Sequence, residues 1–66
     1  MQVTVNGAVD QLPEDTTIRD ILASRTLREE IVIVLLNGEM TARETWGSLA
    51  VKSNDRVEII RIVGGG

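Results

Sequence analysis

The sequence predicts one small α+β domain in which strands precede and follow a single amphipathic helix. Three observations carry this. Apolar and polar residues alternate strictly from Gln2 to Asn6, Ile18, Ile21 and Leu22 recur at helical spacing, an apolar run rich in β-branched residues occupies 31–36, and a strand rich in apolar residues spans Arg56 to Val63. The element order reads β, β, α, β, short β, β, which gives a sheet of four to five strands with one main helix on one face.

The first strand sets Val3 and Val5 on one face and Gln2, Thr4 and Asn6 on the other. Asn6-Gly7 follows, a strong hairpin signal because both residue types tolerate the positive φ of a type I′ turn. Val9 and Leu12 then belong to a second short strand, which Pro13 closes because proline cannot donate to a ladder. Thr17 with Asp20 three residues on fits a helix N-cap followed by an acid in the first turn. The helix lays Ile18, Ile21, Leu22 and the stem of Arg25 on the sheet and ends near Ser24 or Arg25.

After a charged connection at 26–30, the unbroken apolar run at 31–36 predicts a strand buried on both faces at the centre of the sheet. One helix of two turns covers only one face, so another segment or another protein must cover the second. Asn37-Gly38 turns the chain into a short edge strand at 39–41. Trp46, the one aromatic residue, reads as a plug holding an irregular loop against the core, with a partner contact as the alternative. Ser53-Asn54-Asp55 makes the last turn. In the final strand Val57, Ile59 and Val63 share one face, while Glu58, Ile60 and Ile62 share the other. With the first set inward, Ile60 and Ile62 form an exposed apolar pair suited to docking, unless the helix or the Trp46 segment buries them.

Sixty-six residues make one domain, read as a body at 1–63 and a flexible tail at 64–66. The chain has neither cysteine nor histidine, which removes disulfides, the usual zinc and iron ligands, and the commonest base and sulfur nucleophile. Self-contained catalysis is not expected. A net charge of −3 disfavours a nucleic-acid partner, and no apolar run is long enough to span a membrane. Without a signal-peptide pattern at Met1, the expected location is the cytoplasm.

The chain ends in Val63-Gly64-Gly65-Gly66. Lacking Cβ atoms, such a tail passes through a narrow channel, and three extended residues reach roughly 10 Å. It would present the Gly66 carboxylate at a partner's active site while the body stays outside. Terminal glycines also occur as disordered ends or linkers.

This combination resembles the β-grasp fold of ubiquitin-like proteins. In particular, Val5-Asn6-Gly7 through Leu12-Pro13 to Thr17-Ile18-Arg19-Asp20-Ile21-Leu22 is similar to the small sulfur carriers of thiamine biosynthesis, the ThiS family. So are Asn37-Gly38-Glu39, Ala42-Arg43 with Trp46, Asp55-Arg56-Val57-Glu58-Ile59 and the glycine ending. The resemblance covers nearly the whole chain. Ala42 departs from it, standing where many members have proline.

The resemblance implies a carrier and not an enzyme. An adenylating enzyme, using ATP and magnesium that this chain does not itself bind, would activate Gly66. A persulfide-bearing donor would then supply sulfur, and thiazole synthase would receive it from the Gly66 thiocarboxylate. Gly64 and Gly65 would give access, while Ile60, Ile62 and Val63, with part of the 31–36 strand, would dock partners. The rival expectations are a carrier for molybdopterin or cysteine synthesis, a protein modifier, and an interaction module whose tail has no role.

Overall fold

The computed structural model describes residues 1–62. Strand β1 (Gln2–Val5) returns as β2 (Ala8–Gln11) through Asn6 and Gly7, whose φ values of 50° and 82° match the expected type I′ turn. Leu12 follows β2, and its N–H donates to the Met1 carbonyl at 2.8 Å. Helix α1 (Ile18–Ser24) starts at Thr17 with both halves of a capping box: the Thr17 hydroxyl accepts the Asp20 N–H, and an Asp20 carboxylate oxygen accepts the Thr17 N–H. The apolar stripe of α1 is Ile18, Ile21 and Leu22. Arg25 lies outside that stripe, exposed at the helix end with its guanidinium 3.7 Å from Asp10.

A 3₁₀ turn at Glu29–Ile31 leads into β3 (Val32–Leu36), and Asn37-Gly38 makes a second turn at φ 53° and 86° into β4 (Glu39–Met40). A further 3₁₀ turn at Arg43–Thr45 delivers Trp46 to the core, where it is buried and its indole N–H donates to the Thr41 hydroxyl at 2.7 Å. The plug reading of Trp46 therefore holds. The segment carrying it is stitched to the helix start, since Arg19 N–H donates to Trp46 O and Ile18 N–H to Leu49 O. Strand β5 (Arg56–Arg61) completes the sheet.

The strand order is β2-β1-β5-β3-β4, with β1 and β5 parallel and the other neighbours antiparallel. This mixed five-stranded sheet with one crossing helix is the β-grasp arrangement that the resemblance implied. The centre of the sheet differs from expectation. It is β5, not the 31–36 run, because β1 pairs with β5 and leaves β3 one place from the edge. Nor is β3 buried on both faces: Val32 and Val34 are buried, Ile33 and Leu35 are half-buried on the opposite face, and Ile31 belongs to the 3₁₀ turn.

The core comprises Val3, Val5, Ile18, Ile21, Leu22, Val32, Val34, Trp46, Val51 and Val57, so α1 and the Trp46 segment pack on the same face. Among the described residues, nothing covers the other.

Candidate functional site

The uncovered face is apolar at one end. Alternation along β5 turns Val57 and Ile59 to the core and Glu58, Ile60 and Ile62 outward, as the two-residue period requires. Cross-strand pairing fixes the rest: Ile33 sits beside Ile60, Leu35 beside Glu58, and Met40 beside Leu35. Met40 is 70% exposed, Ile60 47% and Ile62 44%, so these large apolar side chains meet water. Large contiguous apolar patches on a folded chain are the usual form of an interaction surface, which makes this group the candidate one.

Charge lies along the β1 end of this patch. Arg56 and Glu58 succeed each other on the outward face of β5, with Arg56 Nε 3.7 Å from Glu58 Oε1, both side chains half-exposed. A hollow of about 180 Å³ adjoins the patch, lined by Val32, Ile33, Met40, Thr41, Arg43 and Trp46, and the Arg43 guanidinium lies 5.9 Å from the Trp46 ring centroid. A larger hollow of about 340 Å³ lies between the Leu12–Thr16 loop and α1, away from the patch.

The patch ends where the glycine tail begins. Ile62 N–H donates to the Ile31 carbonyl at 2.6 Å, anchoring the root of the tail to the chain entering β3. The predicted site residues Val63, Gly64, Gly65 and Gly66 lie outside the described residues, whereas Ile60 and Ile62 are exposed and Ile60 sits opposite Ile33 of β3. Met40 was missed by sequence reasoning. The signal was present in the length of the 37–38 turn, which sets Met40 opposite Leu35 and hence on the outward face.

Among the described residues no group of acids is placed to hold a metal ion, and no helix is long and apolar enough to cross a membrane. The described carboxylates with shifted titration serve structure. Accepting the Thr17 N–H, and then bonding its hydroxyl, holds Asp20 below the usual carboxylate range; Glu30 is held low by its own N–H and by Arg28.

Comparison with known proteins decides what this geometry belongs to. The model of the ThiS family matches residues 3–66, nearly the whole chain. The chain belongs to the ThiS family. This ThiS-family chain is 40% identical over 63 residues to the sulfur carrier protein ThiS of Bacillus subtilis, covering 94% of this chain and 96% of that one. The crystal structure of the thiamine biosynthesis protein ThiS from Geobacter metallireducens matches all of both chains with a TM-score of 0.84 at 35% identity. A stretch of the thiazole synthase of Magnetococcus marinus is 27% identical to all 66 residues, which span 20% of that protein.

Proposed function

We propose that this ThiS-family sulfur carrier of thiamine biosynthesis bears its sulfur on the carboxyl of Gly66. The observation that carries the reading is the exposed patch of Ile33, Leu35, Met40, Ile60 and Ile62, which runs to the root of a glycine tail in a chain of this family. A body that docks by that patch places the tail in a partner's active site, and its contacts offset the roughly 1–2 kcal/mol per residue needed to order the tail.

The chemistry follows from the inertness of a carboxylate, which is anionic and resists attack by sulfur. An adenylating partner using ATP and magnesium joins Gly66 to AMP and releases pyrophosphate. The terminal sulfur of a donor persulfide attacks the carbonyl carbon and AMP departs, giving an acyl disulfide. A second thiol then reduces the sulfur–sulfur bond, becomes a disulfide with the donor, and leaves the thiocarboxylate on Gly66. The chain needs no cysteine for this, because sulfur is held on its carbonyl carbon.

Thiazole synthase is the acceptor we assign. The Magnetococcus marinus protein of that name supports it, since a fifth of its length resembles this whole chain. We place the carrier in the cytoplasm with its ATP-dependent partner. The deciding experiment is intact mass after incubation with ATP, magnesium, a sulfur source and the activating enzyme. We expect a gain equal to replacing one oxygen by sulfur, localised to Gly66. An unchanged mass with an activating enzyme competent on another carrier overturns the reading.

Ile60→Glu tests the docking half. Its side chain is half out of water, so the fold should survive, while adenylation at sub-saturating carrier should drop about tenfold or more, as truncating a central interface contact does. Adenylation equal to the unsubstituted chain would remove Ile60 from the docking surface.

A further inference from the structure

Strand β5 is flanked on both sides only over its first half. Its neighbour β1 ends at Val5, where Asn6 N–H donates to Val57 O at 2.9 Å. Asn6 then reaches further with its side chain, and its Oδ1 accepts the Ile59 N–H at 2.7 Å. Odd-numbered residues of β5 thus direct their backbone groups toward β1, and even-numbered ones toward β3, as the Ile62 N–H to Ile31 O bond also shows. By that parity the Ile59 carbonyl, the Arg61 N–H and the Arg61 carbonyl lie on the β1 side, beyond the point where β1 has turned away. The β1 register ends at Val57, and among the described residues no turn, loop or side-chain bond reaches these three groups. Among the described residues, the central strand of the sheet is therefore an open edge over its last three residues, shortly before the tail.

We infer that this half-edge accepts an extended strand of the adenylating partner, so that the root of the tail enters the active site as part of a shared sheet. The inference rests on the reading of Gly66 as the substrate of that partner and adds how the substrate is held. Strand addition is a recurring mode of recognition, in which backbone bonds supply affinity and alternate side chains supply selectivity. Two features fit it to this site. The outward residues that flank the edge, Ile60 and Ile62, are the exposed apolar ones, so a partner strand laid alongside buries them with its own alternate side chains. Four residues separate Ile62 from the end of Gly66, at most about 14 Å of chain, so whatever grips Arg61 fixes where Gly66 can go.

Amide exchange of the labelled carrier, alone and with the activating enzyme, tests this directly. In the free chain the Arg61 N–H should exchange quickly while the Ile60 and Ile62 amides, bonded toward β3, exchange slowly. In the complex, Arg61 exchange should slow about tenfold or more. Protection of Arg61 in the free carrier that grows with concentration would assign the edge to a second copy and overturn the inference. So would unchanged Arg61 exchange in a complex whose Ile60 and Ile62 methyl signals have shifted.

Arg61→Pro gives a second measure. Proline removes only an N–H that faces away from β3, a position where edge strands tolerate it. For adenylation, we expect its KM to rise about tenfold with kcat nearly unchanged, and Arg61→Ala to change KM by no more than about twofold. Equal values for the two variants overturn the inference. If the unsubstituted carrier is not adenylated at all, the Gly66 reading and this one fall together; if it is adenylated with Arg61 unprotected, only the strand addition falls.

Discussion

Asn6 holds a φ of 50° in the first turn and, through Oδ1, binds an amide 53 positions away in sequence. The two roles separate by substitution. Asn6→Gly keeps the left-handed backbone and loses the Ile59 bond, for a cost of about 1 kcal/mol. Asn6→Ala loses the bond and must also hold a methyl-bearing residue in the left-handed region, which adds roughly 1–2 kcal/mol. Urea denaturation of the two variants measures the difference, and equal values would mean the turn backbone relaxes. Trp46 is the other residue on which the fold leans. Trp46→Ala removes the largest fully buried side chain and should cost about 3–5 kcal/mol, enough to unfold much of a domain this small. At this scale the sequence was informative where a residue type has one common use. Asn6-Gly7 announced its turn, but the long-range bond of Asn6 depends on where β5 lies and has no local signature.

Helix α1 shows the same division between its two ends. Thr17 and Asp20 are a capping pair that the sequence displays. Thr17→Ala should lower stability by about 0.5–2 kcal/mol in thermal or urea unfolding. The far end closes with Leu27 N–H donating to Leu22 O and Thr26 N–H to Ala23 O, a Schellman motif that places Thr26 at φ 57°. Glycine is the usual occupant of that position, so a β-branched residue there hid the motif from sequence analysis. Thr26→Gly should therefore stabilise the protein by roughly 1 kcal/mol, whereas the same change at an unstrained position would destabilise it. Titration adds a test at the helix start. The folded carboxyl of Asp20 sits below its ordinary value, so its contribution to stability is full above the unfolded aspartate range and is lost as pH falls through the folded value. Asp20→Asn should flatten that part of the acid limb in a pH series of melting temperatures, leaving the share of Glu30, which shifts in the same direction.

For the whole molecule, the decisive fact is that α1 and the Trp46 segment both pack on one face, leaving the second face uncovered among the described residues. On the proposed reading, one apolar patch at the tail root would serve any protein that must reach Gly66. A carrier held by its activating enzyme should accordingly fail to bind thiazole synthase, and titrating one partner should displace the other; a stable ternary complex through this face would refute the shared surface. The face division of β5 was legible because a strand repeats every two residues. Its central place was not, since that follows from parallel pairing between β1 and β5, the first and last strands of the chain, and no local pattern encodes such pairing. The same pairing bears on how the protein is made. Until Arg56 and Val57 have been synthesised, β1 and β3 have no common neighbour, and the earlier segments are two hairpins and a helix without a shared sheet. A product cut short before β5 should lack the strand that joins its two hairpins, and should show no cooperative unfolding transition. The fold therefore ties assembly of its sheet to the end of its own synthesis: the two halves join only once translation has entered β5, the strand that leads toward the tail.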